Sequence, residues 1–273
     1  MAKFFILVLL FLTVLSCKES ISEYENSYIY LSHPRINAND SMYEKVYTID
    51  FSAYDMRLIG GDLAQNTFAN KDAFAHRDSI FDFKSPNTLW SIGNHDKTSD
   101  TKFYNATLKG KYHAYSRDDV TFITIDSQDS LSSIVGKQKK FLFSVLDTVK
   151  TSSVLFMSHK LIFMNNHPVW DSKINEICNA IKGDCYHCHN SNNFYDEIYP
   201  RMVELKQRGV QVIWVGGDLG YNTSEFEYID DNGIIFLGNG LWFKKDWNKL
   251  LLFTKKKKTP LRYSFVHIDS INN

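Results

Sequence analysis

The chain has 273 residues, of which 44% are hydrophobic, 15% aromatic and 23% charged, enough apolar material for one sizeable core and too much for a disordered chain. Lys+Arg and Asp+Glu both number 31, so the formal net charge is zero. That balance gives no bulk attraction to nucleic acid or to an anionic membrane, and any recognition of anions has to be local.

In chain order, the first feature is Lys3 followed by an apolar run over 4–15 that ends in Val14-Leu15-Ser16-Cys17. The run is too short for a membrane span and has the length of a signal-peptide core. Its end resembles the lipobox of bacterial lipoproteins, in which a Cys becomes acylated and N-terminal. The resemblance implies a signal peptide over 1–16, lipidation at Cys17, a polar tether over 17–27, and a domain over 28–273 held by lipid at a bacterial cell envelope. In that oxidising setting, Cys178, Cys185 and Cys188 are expected to form one disulfide, from Cys178 to Cys185 or Cys188, and leave one thiol. The cluster from Cys185 to His189 lacks the second ligand pair of a structural zinc site.

Apolar runs bounded by turn residues predict strands over 28–31, 56–59, 88–92, 120–125, 154–157 and 210–215. Helical patterns fall over 71–83, 136–149 and 193–208, the last closed by Gly209. This alternation predicts a layered α/β fold. Strands over 226–229 and 234–237 flank Asp231-Asn232-Gly233, a tight-hairpin sequence, and strands over 250–253 and 261–268 follow, so the C-terminal third is expected to be mostly antiparallel. The stretch 161–195 has no clear period, is rich in Asn and His, and reads as an irregular insertion able to cover a site. The basic run 255–258 reads as a solvated turn.

Polar groups stand at the ends of five of these strands: Ser32-His33-Pro34-Arg35, Gly60-Gly61-Asp62, Gly93-Asn94-His95-Asp96, Ser158-His159 and Gly216-Gly217-Asp218. In layered α/β sheets the loops after the strands gather around one crevice, so residues far apart in sequence can converge there. Glycine beside an acid lets the backbone approach a ligand closely. Each motif alone also reads as an ordinary turn or a strand end; together and in this order they point to a metal site.

With these motifs the chain resembles the calcineurin-like metallophosphoesterases, from about Tyr28 to the C-terminal strands. The resemblance implies a two-sheet α/β sandwich flanked by helices, with mixed sheets, and a pair of divalent metals such as Mn, Fe or Zn. It carries Asp62, Asn94, His159 and Asp218 onto one metal's ligand positions, with His95 as general acid. Two motifs depart from the family pattern. His33 stands where the family has Asp and Arg35 where it has His, while Asp218 and Gly220 replace the two His residues of the last motif. The expected centre therefore holds one metal firmly. The second position is left with His33 and Asp62, and the Arg35 guanidinium stands near it to grip phosphate oxygens.

The expected reaction is hydrolysis of a phosphoester by hydroxide generated on the metal, with His95 protonating the leaving oxygen. A catalytically weakened metal- or phosphate-binding surface lipoprotein is the alternative. A nuclease ranks last, since no basic aromatic groove is visible and no nucleic-acid partner is expected. Asn66 and Asp126 are candidates for supporting contacts around the ligands, each equally readable as a turn or loop-capping residue.

Overall fold

The computed structural model describes residues 25–36, 40–179, 191–257 and 259–271. Cys17, Cys185 and Cys188, with the expected signal peptide and most of the tether, lie outside the described residues. In chain order the strands are β1 (Asn26–Leu31), β2 (Met56–Ile59), β3 (Thr88–Trp90), β4 (His113–Arg117), β5 (Val120–Thr124) and β6 (Ser153–Ser158). They continue with β7 (Gln211–Gly216), β8 (Glu225–Ile229), β9 (Ile235–Asn239), β10 (Lys249–Lys255) and β11 (Arg262–His267). The α-helices are α1 (Lys71–Phe81), α2 (Asp100–Thr107), α3 (Gly136–Thr148), the single turn α4 (Ile174–Ile177) and α5 (Tyr199–Gln207).

These strands form a five-stranded sheet, ordered β11-β10-β1-β2-β3, and a six-stranded sheet, ordered β4-β5-β6-β7-β9-β8. Side chains alternate between the two faces of a strand, and the sequence uses the alternation to build three apolar layers. Tyr28, Tyr30, Leu58 and Leu89 point inward against Phe122, Leu155, Met157, Ile213 and Val215, which closes the sandwich. The intervening Ile29, Leu31 and Ile59 face outward and pack beneath α1 with Phe81, Phe83 and Trp90. On the other outer face Val154, Phe156, Val212 and Trp214 pack with Leu142 and Leu146 of α3 and Met202 and Leu205 of α5. Both faces of the central strands are buried, which is why they read as unbroken apolar runs.

The helix ends follow local chemistry. Asn70 caps α1 by accepting from the Asp72 and Ala73 amides, and Ser99 caps α2 by accepting from the Lys102 amide. Pro200 occupies the first turn of α5, where its missing N–H is harmless.

The structure refines three points. β4 and α2 lie outside the predicted elements, because both are polar and half exposed and their periodicity is faint. The C-terminal third is antiparallel at the β8–β9 hairpin and around β10, but β9 joins β7 in parallel, placing Gly238 beside Gly216. The described part of the expected insertion over 161–195 consists of short helical turns. Leu161, Ile162, Phe163, Met164 and Ile174 are buried in the outer layer of the six-stranded sheet. Cys178 is also buried, its Sγ 3.6 Å from Met164 Sδ. Among the described residues no helix is long and apolar enough to cross a membrane.

Parallel pairing of β1 with β2 and β3, and of β5 with β6, β7 and β9, points the carboxyl ends of these strands to one end of the sandwich.

Candidate functional site

The loops at that end are stitched to one another by backbone hydrogen bonds. The His33 amide donates to Gly61 O (2.9 Å), the Leu241 amide to Ser32 O (3.0 Å), and the Gly217 and Asp218 amides both to His159 O (2.7 and 2.8 Å). Such close approach depends on glycine: a Cβ at Gly93 would lie 2.0 Å from Asp62 Oδ1, and one at Gly217 would lie 2.2 Å from Gly60 O. His33 and Asp62 adopt left-handed backbone with φ of 53° and 55°, a conformation that disfavours side chains by about 1–2 kcal/mol each. Strain of this kind collects where surrounding structure fixes a functional geometry.

Asp96, the last residue of Gly-Asn-His-Asp, ties two of these loops together. Its Oδ2 accepts from the Asp62 amide (2.7 Å), the Gly93 amide (2.9 Å) and Trp90 Nε1 (3.3 Å). Its Oδ1 accepts from the Leu63 amide (3.2 Å) and from the Thr67 hydroxyl. Burial pushes the pKa of this carboxyl up, Asp62 adds to the effect, and the hydrogen bonds from Thr67 and Gly93 oppose it. Asp96 is thus a structural clamp, holding the loop that bears Asp62 against the loop that bears His95.

Asp62 sits at the centre of a buried charged group. Its Oδ1 accepts from the His95 amide at 2.9 Å, and its Oδ2 lies 3.6 Å from His159 Nε2, 3.7 Å from His33 Nε2 and 3.6 Å from Arg35 Nε. His159 Nε2 is also 3.8 Å from Asp218 Oδ1. Burial alone would raise the Asp62 pKa, but His159, His33, His95 and Arg35 outweigh it and hold the carboxyl below its ordinary value. For His159 burial opposes protonation, yet Asp62 and Asp218 prevail and raise its pKa.

The two histidines beside Asp62 are wired differently. His159 donates from Nδ1 to Gly60 O at 2.7 Å, which leaves Nε2 with the lone pair in the neutral ring; among the described residues this buried Nε2 has no hydrogen-bond partner, nor has Asp218 Oδ2. His33 donates from Nδ1 to Leu241 O (3.2 Å) and stacks on Trp242, but its Nε2 accepts from Arg35 Nε at 3.2 Å. Burial takes the His33 pKa down to about 4, Asp62 pulling the other way and Arg35 lowering it further. At His33, expected as a metal ligand, the Nε2 lone pair is thus engaged by the Arg35 guanidinium.

His95 and Asn94 are half-buried and line a cavity of about 290 Å³ together with Gln65, Asn66, Lys97 and Lys102. His95 Nδ1 donates to Gln65 O at 2.9 Å, and Arg35 Nη1 donates to Gln65 Oε1 at 2.5 Å, so Gln65 positions both. Asn66 is exposed at the cavity edge, its amide donating to Asp40 Oδ1 at 3.2 Å. Asp126 turns its Oδ1 to the Gln128 and Asp129 amides (2.9 and 3.3 Å), the loop-capping alternative, while lining a separate cavity of about 550 Å³ with Gly93, Lys97 and Lys111. Sequence reading missed Gln65, Thr67 and Trp242. Gln65 stands three residues after Asp62, and that proximity to the acid was its available signal.

Among the described residues, no group of three or more His, Cys, Asp or Glu side chains forms a ready-made metal site. No family model matches the sequence, and no curated protein matches it. Solved structures do resemble it. A dimetal phosphatase from Danio rerio is 11% identical, with a TM-score of 0.54 over 87% of this chain and 98% of that one. GAP50, the anchor in the inner membrane complex of Plasmodium, is 12% identical, with a TM-score of 0.54 over 90% of this chain and 85% of that one. At such identities the likeness speaks for the fold alone, a two-sheet α/β sandwich shared with these structures.

Proposed function

We propose that this protein is a metal-dependent phosphoester hydrolase that holds one divalent ion, uses His95 as general acid, and is tethered to a bacterial cell envelope by lipid on Cys17. The observation that carries the proposal is a pair of buried donor atoms without a hydrogen-bond partner among the described residues, His159 Nε2 and Asp218 Oδ2, beside the Asp62 carboxylate. Buried polar atoms without partners are rare in folded proteins and call for a reason. A divalent ion supplies one.

The chemistry of the donors on the His159 side of Asp62 suits such an ion, since imidazole nitrogen and carboxylate oxygens are ordinary ligands of divalent metals. His159 Nε2 stands 3.6 Å from Asp62 Oδ2 and 3.8 Å from Asp218 Oδ1. The Nδ1 bond from His159 to Gly60 O also fixes the tautomer and ring orientation that a ligating imidazole needs. Asn94, one residue before His95, is the remaining oxygen ligand proposed. The His33 side does not fit a second ion, because Arg35 already contacts both His33 Nε2 and Asp62 Oδ2 there.

Bound at Asp62, Asn94, His159 and Asp218, a manganese, iron or zinc ion supplies Lewis-acid activation of water. The chain's own residues do the rest. Arg35, held by His33 and Gln65, presents a fixed cation to the phosphoryl oxygens, where charge develops in the transition state. His95, its ring oriented by Gln65 O, delivers a proton from Nε2 to the departing oxygen. Lys97 and Lys102 at the adjoining cavity add local positive charge to a chain of zero net charge.

The Arg35–Asp62 contact also favours a second reading, a binding protein with weakened hydrolysis. A panel of aryl phosphate monoesters and diesters, assayed with added manganese, iron or zinc, separates the two. The hydrolase reading expects turnover that requires metal and disappears in Asp218→Ala. Metal binding with no turnover on either ester class selects the binding protein instead.

A further inference from the structure

On the outer face of the six-stranded sheet, the β8–β9 hairpin meets the turn before α5 around a cavity of about 220 Å³. Its wall is a nearly continuous arc of rings. Tyr199 and Tyr195 have centroids 5.4 Å apart, Tyr195 and His167 5.9 Å, His167 and Tyr228 5.2 Å, and Tyr228 and Phe236 6.1 Å. All five line the cavity, and the hairpin residues Asp230 and Asp231 close it.

We propose that this cavity is an aromatic cage for a small organic ammonium ion, of the trimethylammonium class. Aromatic faces carry negative electrostatic potential, and several of them around one point attract a cation whose hydration is weak. The charges agree. Among the described residues two carboxylates line the cavity and no Lys or Arg does; Lys206 reaches toward Gly233 of the hairpin but not into the wall. His167 does not add positive charge, because its Nδ1 accepts from the Val169 and Trp170 amides at 3.1 and 3.2 Å, and burial lowers its pKa. The cage is also built rather than collapsed. Tyr199 donates to Asp230 Oδ2 at 2.6 Å, Tyr195 donates to Phe163 O at 2.6 Å, and Asp230 Oδ1 accepts from the Asn232 and Ile234 amides at 3.0 and 2.8 Å. These bonds fix the ring planes before any ligand arrives, which reduces the entropy lost on binding.

The cage shares no residue with the site described above, so its test is independent of the hydrolase reading. Choline and its uncharged isostere 3,3-dimethylbutan-1-ol are titrated into the full chain by calorimetry. Saturable choline binding at least about tenfold tighter than the isostere is expected, since the cation–π attraction acts on the charge alone. Tyr228→Ala is expected to abolish the difference, Tyr228→Phe to keep it, and Asp231→Asn to weaken choline without unfolding the hairpin. Equal affinity for choline and the isostere, or a preference unchanged in Tyr228→Ala, overturns the proposal, as does absence of choline binding. Phosphatidylcholine vesicles distinguish the source. If they compete with choline the ammonium belongs to a lipid headgroup, if not to a free solute, and either outcome keeps the cage as a cation site.

Discussion

Replacing Asp96 with alanine is expected to destabilise the fold by at least about 3 kcal/mol, a large share of the ~5–15 kcal/mol available to a domain. Asp96 accepts from three backbone amides, the Trp90 indole and the Thr67 hydroxyl, all within the buried joint between two site loops. Alanine leaves these donors without a partner in a region that water does not reach, and an unsatisfied buried donor costs about 1–3 kcal/mol. Urea unfolding checks this: the midpoint should fall strongly while the slope stays that of a cooperative transition. A loss below about 1 kcal/mol would mean that the loops are held by other contacts. Asp96→Asn, which keeps the shape but loses charge and turns one oxygen into a donor, should fall between the two.

His95→Ala is expected to lower kcat by about 10²–10⁴-fold while leaving metal content nearly unchanged. The separation of effects follows from the geometry. The contact between His95 and Asp62 is made by the His95 backbone amide, which alanine retains, whereas the ring is held by Gln65 O and lines the cavity. Steady-state kinetics on the best aryl phosphate, with elemental analysis of the same preparation, measures both quantities. Unchanged turnover removes His95 from the mechanism; loss of metal with turnover reassigns it to the metal site's framework.

Much of this architecture can be read from the chain, for a definite physical reason. Strands buried on both faces leave long apolar runs, and polar motifs at their carboxyl ends stand out against them, so Asp62, His95, His159 and Asp218 were recognisable as one group before any coordinates. What stayed hidden depends on contacts between distant segments. Nothing local to Asp96 reveals that its partners sit 33 and 34 residues earlier at Leu63 and Asp62. The same holds for His33. Its sequence neighbourhood offers an imidazole, but the left-handed backbone at φ 53° and the short step to Arg35 turn its lone pair toward the guanidinium. β4 escaped notice because an edge strand with half-exposed residues has little alternation, and the parallel join of β9 to β7 is invisible in a hairpin sequence. The residues over 161–179 look irregular because they pack through short turns, each too brief to establish a period, yet their apolar members are among the most deeply buried.

The central claim is that one divalent ion belongs beside Asp62, on the side of His159 and Asp218, with the Arg35 guanidinium on the other. Quantitative metal analysis of the purified protein tests it most directly. The expected result is about one tightly held equivalent per chain, lost in His159→Ala and retained in Arg35→Ala, consistent with a single set of buried donors. Two tightly bound equivalents per chain, present in the wild type and in Arg35→Ala alike, would contradict it.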